Sequence, residues 1–163
     1  MTPPDIPDTP DTPATRAAVA SGLDHRVTVL DPPARSLEEA AEREGVPPEA
    51  KVKTLVVRRA EEDYVFVLVG GGRVIDWPKL RAHLGQSRLS MPDADDALRV
   101  TGYARGTITV LGSRRDLPVV VDQALAGREI SVGGGAHGVA IRVDAGAFAD
   151  HVGAEIVDVT KPG

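Results

Sequence analysis

One lysine lies inside a strongly apolar run, the segment KVKTLVV that contains Lys53. Because a strand turns successive side chains to opposite faces, Lys53 would share a face with Leu55 and Val57. An ammonium group buried without a partner is costly, so Lys53 needs an acceptor, and a substrate phosphate or carbonyl oxygen would provide one. Alternatively, Lys53 extends along the apolar surface to water, as we expect Lys51 to do.

Two glycine-rich segments could bring backbone groups close to a substrate. The first is TGYARGTITVLG, from Thr101 to Gly112, in which three glycines permit backbone angles that other residues avoid. Such a loop can direct peptide N–H groups at the oxyanion that develops during ester hydrolysis. The second is Gly133–Gly135, on which a nucleobase or ribose could lie without meeting side chains. Taken alone, each segment is more simply explained as a surface loop or a hairpin turn.

Asp122 follows the apolar run LPVVV, at the end of a predicted strand. Its carboxylate either caps the next turn or points into a site from the strand's carboxyl end. The four histidines, His25, His83, His137 and His151, are scattered at spacings that do not indicate a metal site. The chain has no cysteine, which excludes disulfides and thiolate nucleophiles. Phosphate-loop, nucleophile-elbow and zinc-protease motifs are absent, and we expect neither a metal nor an organic cofactor.

The formal net charge of −5 limits the classes of partner. Affinity for nucleic acid depends largely on Lys and Arg that neutralise phosphates, so no DNA partner is expected, whereas weak contact with an exposed RNA end is compatible. No apolar run approaches the ~20 residues that span a bilayer. The acidic, proline-rich start of the chain is not a signal peptide, so no membrane contact and a cytoplasmic location are expected.

The elements that must position these groups are strands and helices in mixed order. Predicted helices start near Thr15, at caps Ser36 and Asp76, and in the segments PDADDALRV and DAGAFADHVG. Predicted strands are HRVTVL, KVKTLVVRR, YVFVLVGGG, SRLSM, LPVVVD, REISVGGG, VAIRV and AEIVDV. This pattern favours an α/β (α+β) domain with a mixed, largely antiparallel sheet surrounded by helices. Residues 1–13 are expected to form a disordered tail, and 14–163 a single domain.

Taken in order, these segments resemble the YbaK/prolyl-tRNA editing domain family from about Thr15 to the C-terminus. The matching segments are SLEEAAEREGV before VKTLVV, DWPKLRAHLG, VTGYARGTIT followed by LG, LPVVVD, and ISVGGGAHG before VAIRV. The resemblance implies the same mixed α/β fold and an aminoacyl-tRNA deacylase. The expected substrate is misacylated tRNA, chiefly tRNA for proline that carries Cys, Ala or a similar small residue.

The resemblance also implies roles for particular residues. Lys53 of the KTL element would be the principal functional side chain, and Gly106 and Asp122 match further family positions. As our own hypothesis for the mechanism, Lys53 holds the terminal phosphate or ribose, backbone groups at Gly106 and Thr107 position the attacking water and the oxyanion, and Asp122 orients Lys53 or the ribose. The implied substrate-binding residues are Thr101, Gly102, Tyr103, Val110, Gly133, Gly134 and Gly135. The implied partners are the 3′ end of aminoacyl-tRNA and a recruiting prolyl-tRNA synthetase.

Two positions depart from the family pattern. Val110 stands where the GxxxP element usually has proline, and Leu30 stands where many members carry a tyrosine. A proline in place of Val110 would fix φ and remove a backbone donor. Together with the change at Leu30, this departure affects the expected shape of the substrate pocket. Two alternatives therefore stay open: a non-catalytic module that binds tRNA ends or a synthetase, and a hydrolase of small acyl-nucleotide esters.

Overall fold

A long hairpin forms the centre of the fold in the computed structural model, which describes residues 9–163. Strand β2 (Val52–Ala60) pairs antiparallel with β3 (Asp63–Gly70), and the two strands lie in the predicted strand segments KVKTLVVRR and YVFVLVGGG. Strand β3 then pairs in parallel with β5 (Val119–Asp122), which pairs in parallel with β8 (Glu155–Val157). The strand order β2-β3-β5-β8 leaves β2 at one edge of this sheet.

Two smaller antiparallel units complete the sheets of the described residues. The first has the order β1-β7-β6, with β1 at His25–Val29, β6 at Glu129–Gly133 and β7 at Val139–Asp144. The second pairs β4 (Arg73–Ile75) with β9 (Thr160–Pro162). Antiparallel pairs therefore outnumber parallel pairs, and the mixed, largely antiparallel α/β class expected from the sequence is confirmed.

The helices begin and end where capping residues stand in the sequence. They are α1 (Pro13–Ser21), α2 (Leu37–Glu44), α3 (Trp77–Leu84), α4 (Ala94–Thr101) and α5 (Ala145–Val152). An oxygen of the preceding Thr, Ser or Asp side chain accepts a first-turn amide hydrogen in each helix. Each helix ends at a left-handed glycine, namely Gly22, Gly45, Gly85, Gly102 and Gly153. No helix of the described residues has the length and apolar character needed to cross a membrane.

The N-terminal boundary differs from the expected one. Helix α1 begins at Pro13 with Thr12 as its cap, so the fold starts within the segment assigned to a disordered tail. Residues 1–8 of that segment lie outside the described residues. Thr12 belongs to the fold because its hydroxyl donates a hydrogen bond of 2.6 Å to the carbonyl of Gly134.

Two strand predictions also need correction. The segment SRLSM forms no strand and contributes only an isolated bridge between Ser90 and Arg58 of β2, because its backbone meets β2 at a single residue. Strands β4 and β9 are not predicted by the sequence pattern, since each has three residues and β9 contains a proline. They form by antiparallel pairing with each other, with Ile75 opposite Thr160.

The core lies on both faces of β3, which explains the continuous apolar run of that strand. One face packs against the β1-β7-β6 sheet and α5 in a cluster that includes Phe66, Leu68, Ile130, Ile141 and Phe148. The other face packs against α3 in a cluster that includes Val57, Val65, Val67, Leu80 and Val159. Strand β2, at the edge, is covered less completely and faces an open cavity.

An exposed ion-pair network closes the turn between β2 and β3. Glu62 has a φ of 57° and accepts hydrogen bonds from Arg99 at 2.8 and 2.9 Å and from Arg115 at 2.8 Å. Hydrogen bonds from Arg99, then from Arg115, lower the pKa of Glu62 from 4.5 to about 2. The network joins the hairpin to α4 and to the segment before β5.

We expect Glu62→Gln to lower stability to chemical unfolding at neutral pH and to lose this effect in acid. A carboxylate with a lowered pKa stabilises the fold above its unfolded pKa of 4.5, and this stabilisation disappears as pH falls through about 2. Urea midpoints of wild type and variant should therefore converge between pH 4.5 and pH 2. The exposed neighbour Glu61 provides the control variant Glu61→Gln. A difference that stays constant across that range would contradict the expectation.

Candidate functional site

A cavity of about 750 Å³ opens beside the first half of β2. Its walls come from the edge strand itself, the start of α4, residues 105–108, and the turn between β6 and β7. Lys53 and Thr54 both line the cavity, although their side chains point to opposite faces of β2. Both can reach it because β2 is an edge strand, and no further strand of the described residues covers its free edge at this point. The cavity therefore collects residues from segments that are far apart in the chain.

Lys53 brings a positive charge to this cavity. It lies opposite Val69 on the face that β2 shares with Leu55 and Val57, as the alternation predicts. Its ammonium donates a hydrogen bond of 2.7 Å to the carbonyl oxygen of Arg73. No carboxylate among residues 9–163 lies within salt-bridge distance of it. The charge is thus held by a neutral acceptor, which leaves donors for an anionic ligand.

Gly106 and Thr107 line the cavity on the side of the predicted loop. Gly106 has a φ of 87°, in the left-handed region that favours glycine. Thr107 donates to the carbonyl of Ala104 twice, from its amide at 2.9 Å and from its hydroxyl at 2.7 Å. The Thr107 amide is thus engaged in this turn, whereas the Gly106 amide makes no backbone hydrogen bond of this kind among residues 9–163.

We expect Gly106→Ala to lower kcat/KM for ester hydrolysis by about tenfold and to lower the free energy of unfolding by ~1 kcal/mol. An alanine there is strained by its φ, and its Cβ would lie 3.1 Å from Cε1 of His137, whose side chain must move by a few tenths of an ångström. Gly127→Ala is the matched control, since Gly127 has a φ of 72° and a Cβ there would have no atom within 4 Å. Equal activity losses in both variants would contradict a local role for Gly106.

The floor of the cavity is the turn after β6. Gly133 and Gly134 line it, and a Cβ at Gly134 would clash with a methyl carbon of Val139, so no larger residue fits without movement. Gly135 lies behind this floor with a φ of 86°, and a Cβ there would come within 3.1 Å of the hydroxyl of Thr12. The hydrogen bond from Thr12 to Gly134 fastens the turn to the start of α1.

Six of the residues proposed from the sequence do not line the cavity: Thr101, Gly102, Tyr103, Val110, Asp122 and Gly135. The first three belong to the end of α4. Thr101 is buried and donates to the carbonyl of Ala97 at 2.7 Å, and Gly102 is the left-handed residue that ends the helix. The buried Tyr103 hydroxyl donates to the carbonyl of Leu111 at 2.6 Å, and burial raises the pKa of Tyr103 to about 12.

Val110 and Asp122 are also held away from the cavity. Val110 is half-buried and packs against the core between the sheets, so this departure from the family pattern does not alter the cavity wall. Leu30, the other departure, does line the cavity. Asp122 is 1% exposed, and its carboxylate accepts a hydrogen bond from the amide of Ala124. It therefore caps the turn after β5, which is the first of the two roles considered from the sequence.

The sequence interpretation missed a buried polar cluster in the cavity wall. Lys51 does not extend to water; its ammonium lies 2.8 Å from Glu44 Oε2 and donates to Ser131 Oγ at 3.2 Å. The Ser131 hydroxyl in turn donates to the other oxygen of Glu44. The side chains of Glu44 and Lys51 are only 1% and 15% exposed. Lys51 directly precedes β2 and bridges to Ser131 of β6, a contact between distant segments that the local sequence pattern does not indicate.

His137 was also missed as a cavity residue. It is exposed, follows the glycine turn, and lines the cavity next to Gly106. Its position after Gly133–Gly135 in the segment GGGAHG was the signal that could have found it. Within the described residues, no three His, Cys, Asp or Glu side chains come together in a way that could hold a metal ion.

The sequence matches a known protein family and is similar to known enzymes. The family model described as "Aminoacyl-tRNA editing domain" matches residues 31–150. The proline–tRNA ligase of Trichlorobacter lovleyi is 35% identical over 97 residues, which are 60% of this chain and 17% of that ligase. The proline–tRNA ligase of Thermotoga maritima is 35% identical over 107 residues, 66% of this chain and 18% of the ligase. The chain thus spans less than a fifth of the length of these relatives.

A solved structure of a candidate trans-editing enzyme for prolyl-tRNA synthetase has a similar fold. The TM-score is 0.82 and the identity 24%, with 93% of this chain and 99% of that chain covered. At this identity the likeness establishes the fold alone. The family match covers the segments that carry the sequence resemblance from β2 to β7 and confirms that resemblance.

Proposed function

Because this chain belongs to the aminoacyl-tRNA editing domain family, whose model matches residues 31–150, we propose that it deacylates misacylated tRNA for proline in trans. The family supports the deacylase class, and the proline–tRNA ligase relatives support the identity of the tRNA. The amino acid removed would be a small one such as Cys, Ala or Ser, because the site must reject the correctly charged ester by excluding bulk.

The observation that supports the proposal is that one cavity is lined both by a cationic side chain and by two glycines. Lys53 supplies a positive charge with no carboxylate partner among the described residues, and Gly133 and Gly134 supply a surface without side chains. A terminal nucleoside could lie on that surface while its phosphate or ribose meets Lys53. The ester would then be directed at the loop that contains Gly106.

The proposed reaction is direct hydrolysis. A water oxygen attacks the ester carbonyl carbon, the bond from that carbon to the ribose oxygen breaks, and the ribose oxygen receives a proton. Lys53 would orient the ester, and the backbone at Gly106 would stabilise the oxyanion of the tetrahedral intermediate. The chain has no cysteine, and its sequence contains no serine-hydrolase motif, so a covalent acyl-enzyme is not part of the proposal.

The proposed partners follow from charge and family. The net charge of −5 gives the chain a weak general attraction for RNA, so a prolyl-tRNA synthetase would help to deliver the substrate. The contact with RNA would be confined to the 3′ end that enters the cavity. A cytoplasmic location is proposed because charged tRNA is used there.

The test is single-turnover deacylation of tRNA for proline charged separately with alanine, cysteine, serine and proline. We expect rapid loss of at least one non-cognate ester and slow loss of the prolyl ester. Discrimination by size alone would be modest, since one methylene is worth only ~1–3 kcal/mol. No loss of any ester would favour a binding module. Hydrolysis of aminoacyl-adenosine but not of aminoacyl-tRNA would favour a hydrolase of small acyl-nucleotides.

A further inference from the structure

The acceptor that holds Lys53 is itself fixed by a buried carboxylate outside the cavity. The only hydrogen bond of the Lys53 ammonium within residues 9–163 goes to the carbonyl oxygen of Arg73, at 2.7 Å. Arg73 begins β4, which is three residues long and follows a glycine turn. So short a strand needs other contacts to keep its carbonyl in one place.

Strand β9 supplies the first of these contacts. It pairs with β4 so that Arg73 lies opposite Pro162, and the ribbon is closed by a 2.8 Å hydrogen bond from the amide of Gly163 to the carbonyl of Gly72. The guanidinium of Arg73 donates from Nε to the buried hydroxyl of Thr160 at 2.6 Å. The backbone and the side chain of Arg73 are therefore both tied to β9.

Asp122 joins this ribbon to the main sheet. Its Oδ1 accepts a 3.1 Å hydrogen bond from the amide of Val159, directly before β9, and its Oδ2 lies 3.8 Å from Nε of Arg73. Oδ2 also accepts from the amide of Ala124 at 3.2 Å. A carboxylate that is 1% exposed at the end of β5 thus contacts Arg73 of β4 and the residue directly before β9.

We propose that Asp122 is a positioning residue that acts on Lys53 through Arg73. The carboxylate holds the β4–β9 ribbon so that the Arg73 carbonyl directs the Lys53 ammonium along the cavity wall. Asp122 does not touch the substrate, because neither it nor Arg73 lines the cavity. The inference rests on the proposed function for its effect on hydrolysis, but the geometry of Lys53 can be measured without any substrate.

The first experiment observes Lys53 directly. The chain has four lysines, Lys51, Lys53, Lys79 and Lys161, so reductive methylation with ¹³C-formaldehyde gives few NMR signals, and Lys53→Arg assigns the one of interest. Asp122→Asn keeps the size of the side chain and an oxygen for the Val159 amide, but removes the charge. We expect the Lys53 signal to move towards that of the exposed Lys161, while the signal of Lys51, which is held by Glu44 and Ser131 and not by the ribbon, stays in place. An unchanged Lys53 signal in folded Asp122→Asn would overturn the inference.

The second experiment is a double-mutant cycle on binding. The ligand is a non-hydrolysable 3′-amide analogue of alanyl-adenosine 5′-monophosphate, so binding is measured whether or not the chain hydrolyses esters. We expect Asp122→Asn to weaken binding about tenfold in the wild-type background and to have no effect in a Lys53→Met background. Equal effects in both backgrounds would indicate a merely structural role and overturn the inference.

Thr160→Val is the second variant if Asp122→Asn fails to fold. It removes the acceptor for Arg73 Nε while keeping the shape of the side chain, and the same shift of the Lys53 signal is expected. Absence of that shift in folded Thr160→Val would count against the inference. If wild type hydrolyses no aminoacyl-tRNA, the proposed function fails, whereas the NMR result still decides whether Asp122 positions Lys53.

Discussion

Replacing Lys53 with alanine should lower kcat/KM for deacylation of the preferred misacylated tRNA by about 10- to 100-fold. A charge-assisted hydrogen bond is worth ~1.5–3 kcal/mol. Lys53 can offer such a bond to the substrate because no carboxylate among residues 9–163 forms a salt bridge with its ammonium. The loss should fall mainly on KM if Lys53 binds the phosphate equally in ground and transition states, and mainly on kcat if it orients the ester. Single-turnover rates over a range of enzyme concentrations separate the two cases.

The matched control for this change is Lys161→Ala. Lys161 is exposed on β9, outside the cavity, and its replacement alters the net charge by the same amount. A purely long-range electrostatic effect would lower both activities equally. Unaltered turnover by Lys53→Ala, with a stability equal to that of wild type, would contradict the role given to Lys53 in the proposed reaction.

The second large effect is on stability. Lys51→Met should lower the free energy of unfolding by roughly 3 kcal/mol or more, because it leaves the buried Glu44 carboxylate without its counterion. The side chain of Glu44 is 1% exposed, and Lys51 is the one cation within salt-bridge distance of it among the described residues. Urea unfolding followed by circular dichroism measures the change at neutral pH.

Two further variants show whether the charge is the cause. Glu44→Gln combined with Lys51→Met should recover most of the lost stability, since the amide oxygen can still accept from Ser131 while no unpaired charge remains. Lys79→Met breaks the exposed pair with Asp158, whose side chains are 41% and 46% exposed, and should cost less than ~1 kcal/mol. Equal losses for Lys51→Met and Lys79→Met would show that burial of the Glu44 pair has no energetic consequence.

Much of the fold follows from short-range patterns in the chain. Two helices start at the predicted caps Ser36 and Asp76, because a cap acts on residues only a few positions away. The face on which Lys53 lies also follows from strand alternation alone. The placement of Lys53, Gly106, Thr107, Gly133 and Gly134 in one cavity agrees with the site inferred from the family resemblance, although their chemical roles stay predictions.

Sequence by itself determined the helix caps at Ser36 and Asp76, the two strands of the central hairpin, the mixed sheet class and the family, since each depends on local order or on motifs read in sequence. Only the tertiary structure decided that Lys51 pairs with Glu44 beside Ser131, 80 positions away from Lys51, and that Thr12 fastens Gly134, 122 positions away. It also decided that the Asp122 carboxylate contacts the amide of Val159 and the guanidinium of Arg73 and does not line the cavity. The partner of a buried polar group depends on which distant segments of the chain pack together, and the residues next to it in the sequence do not determine that packing.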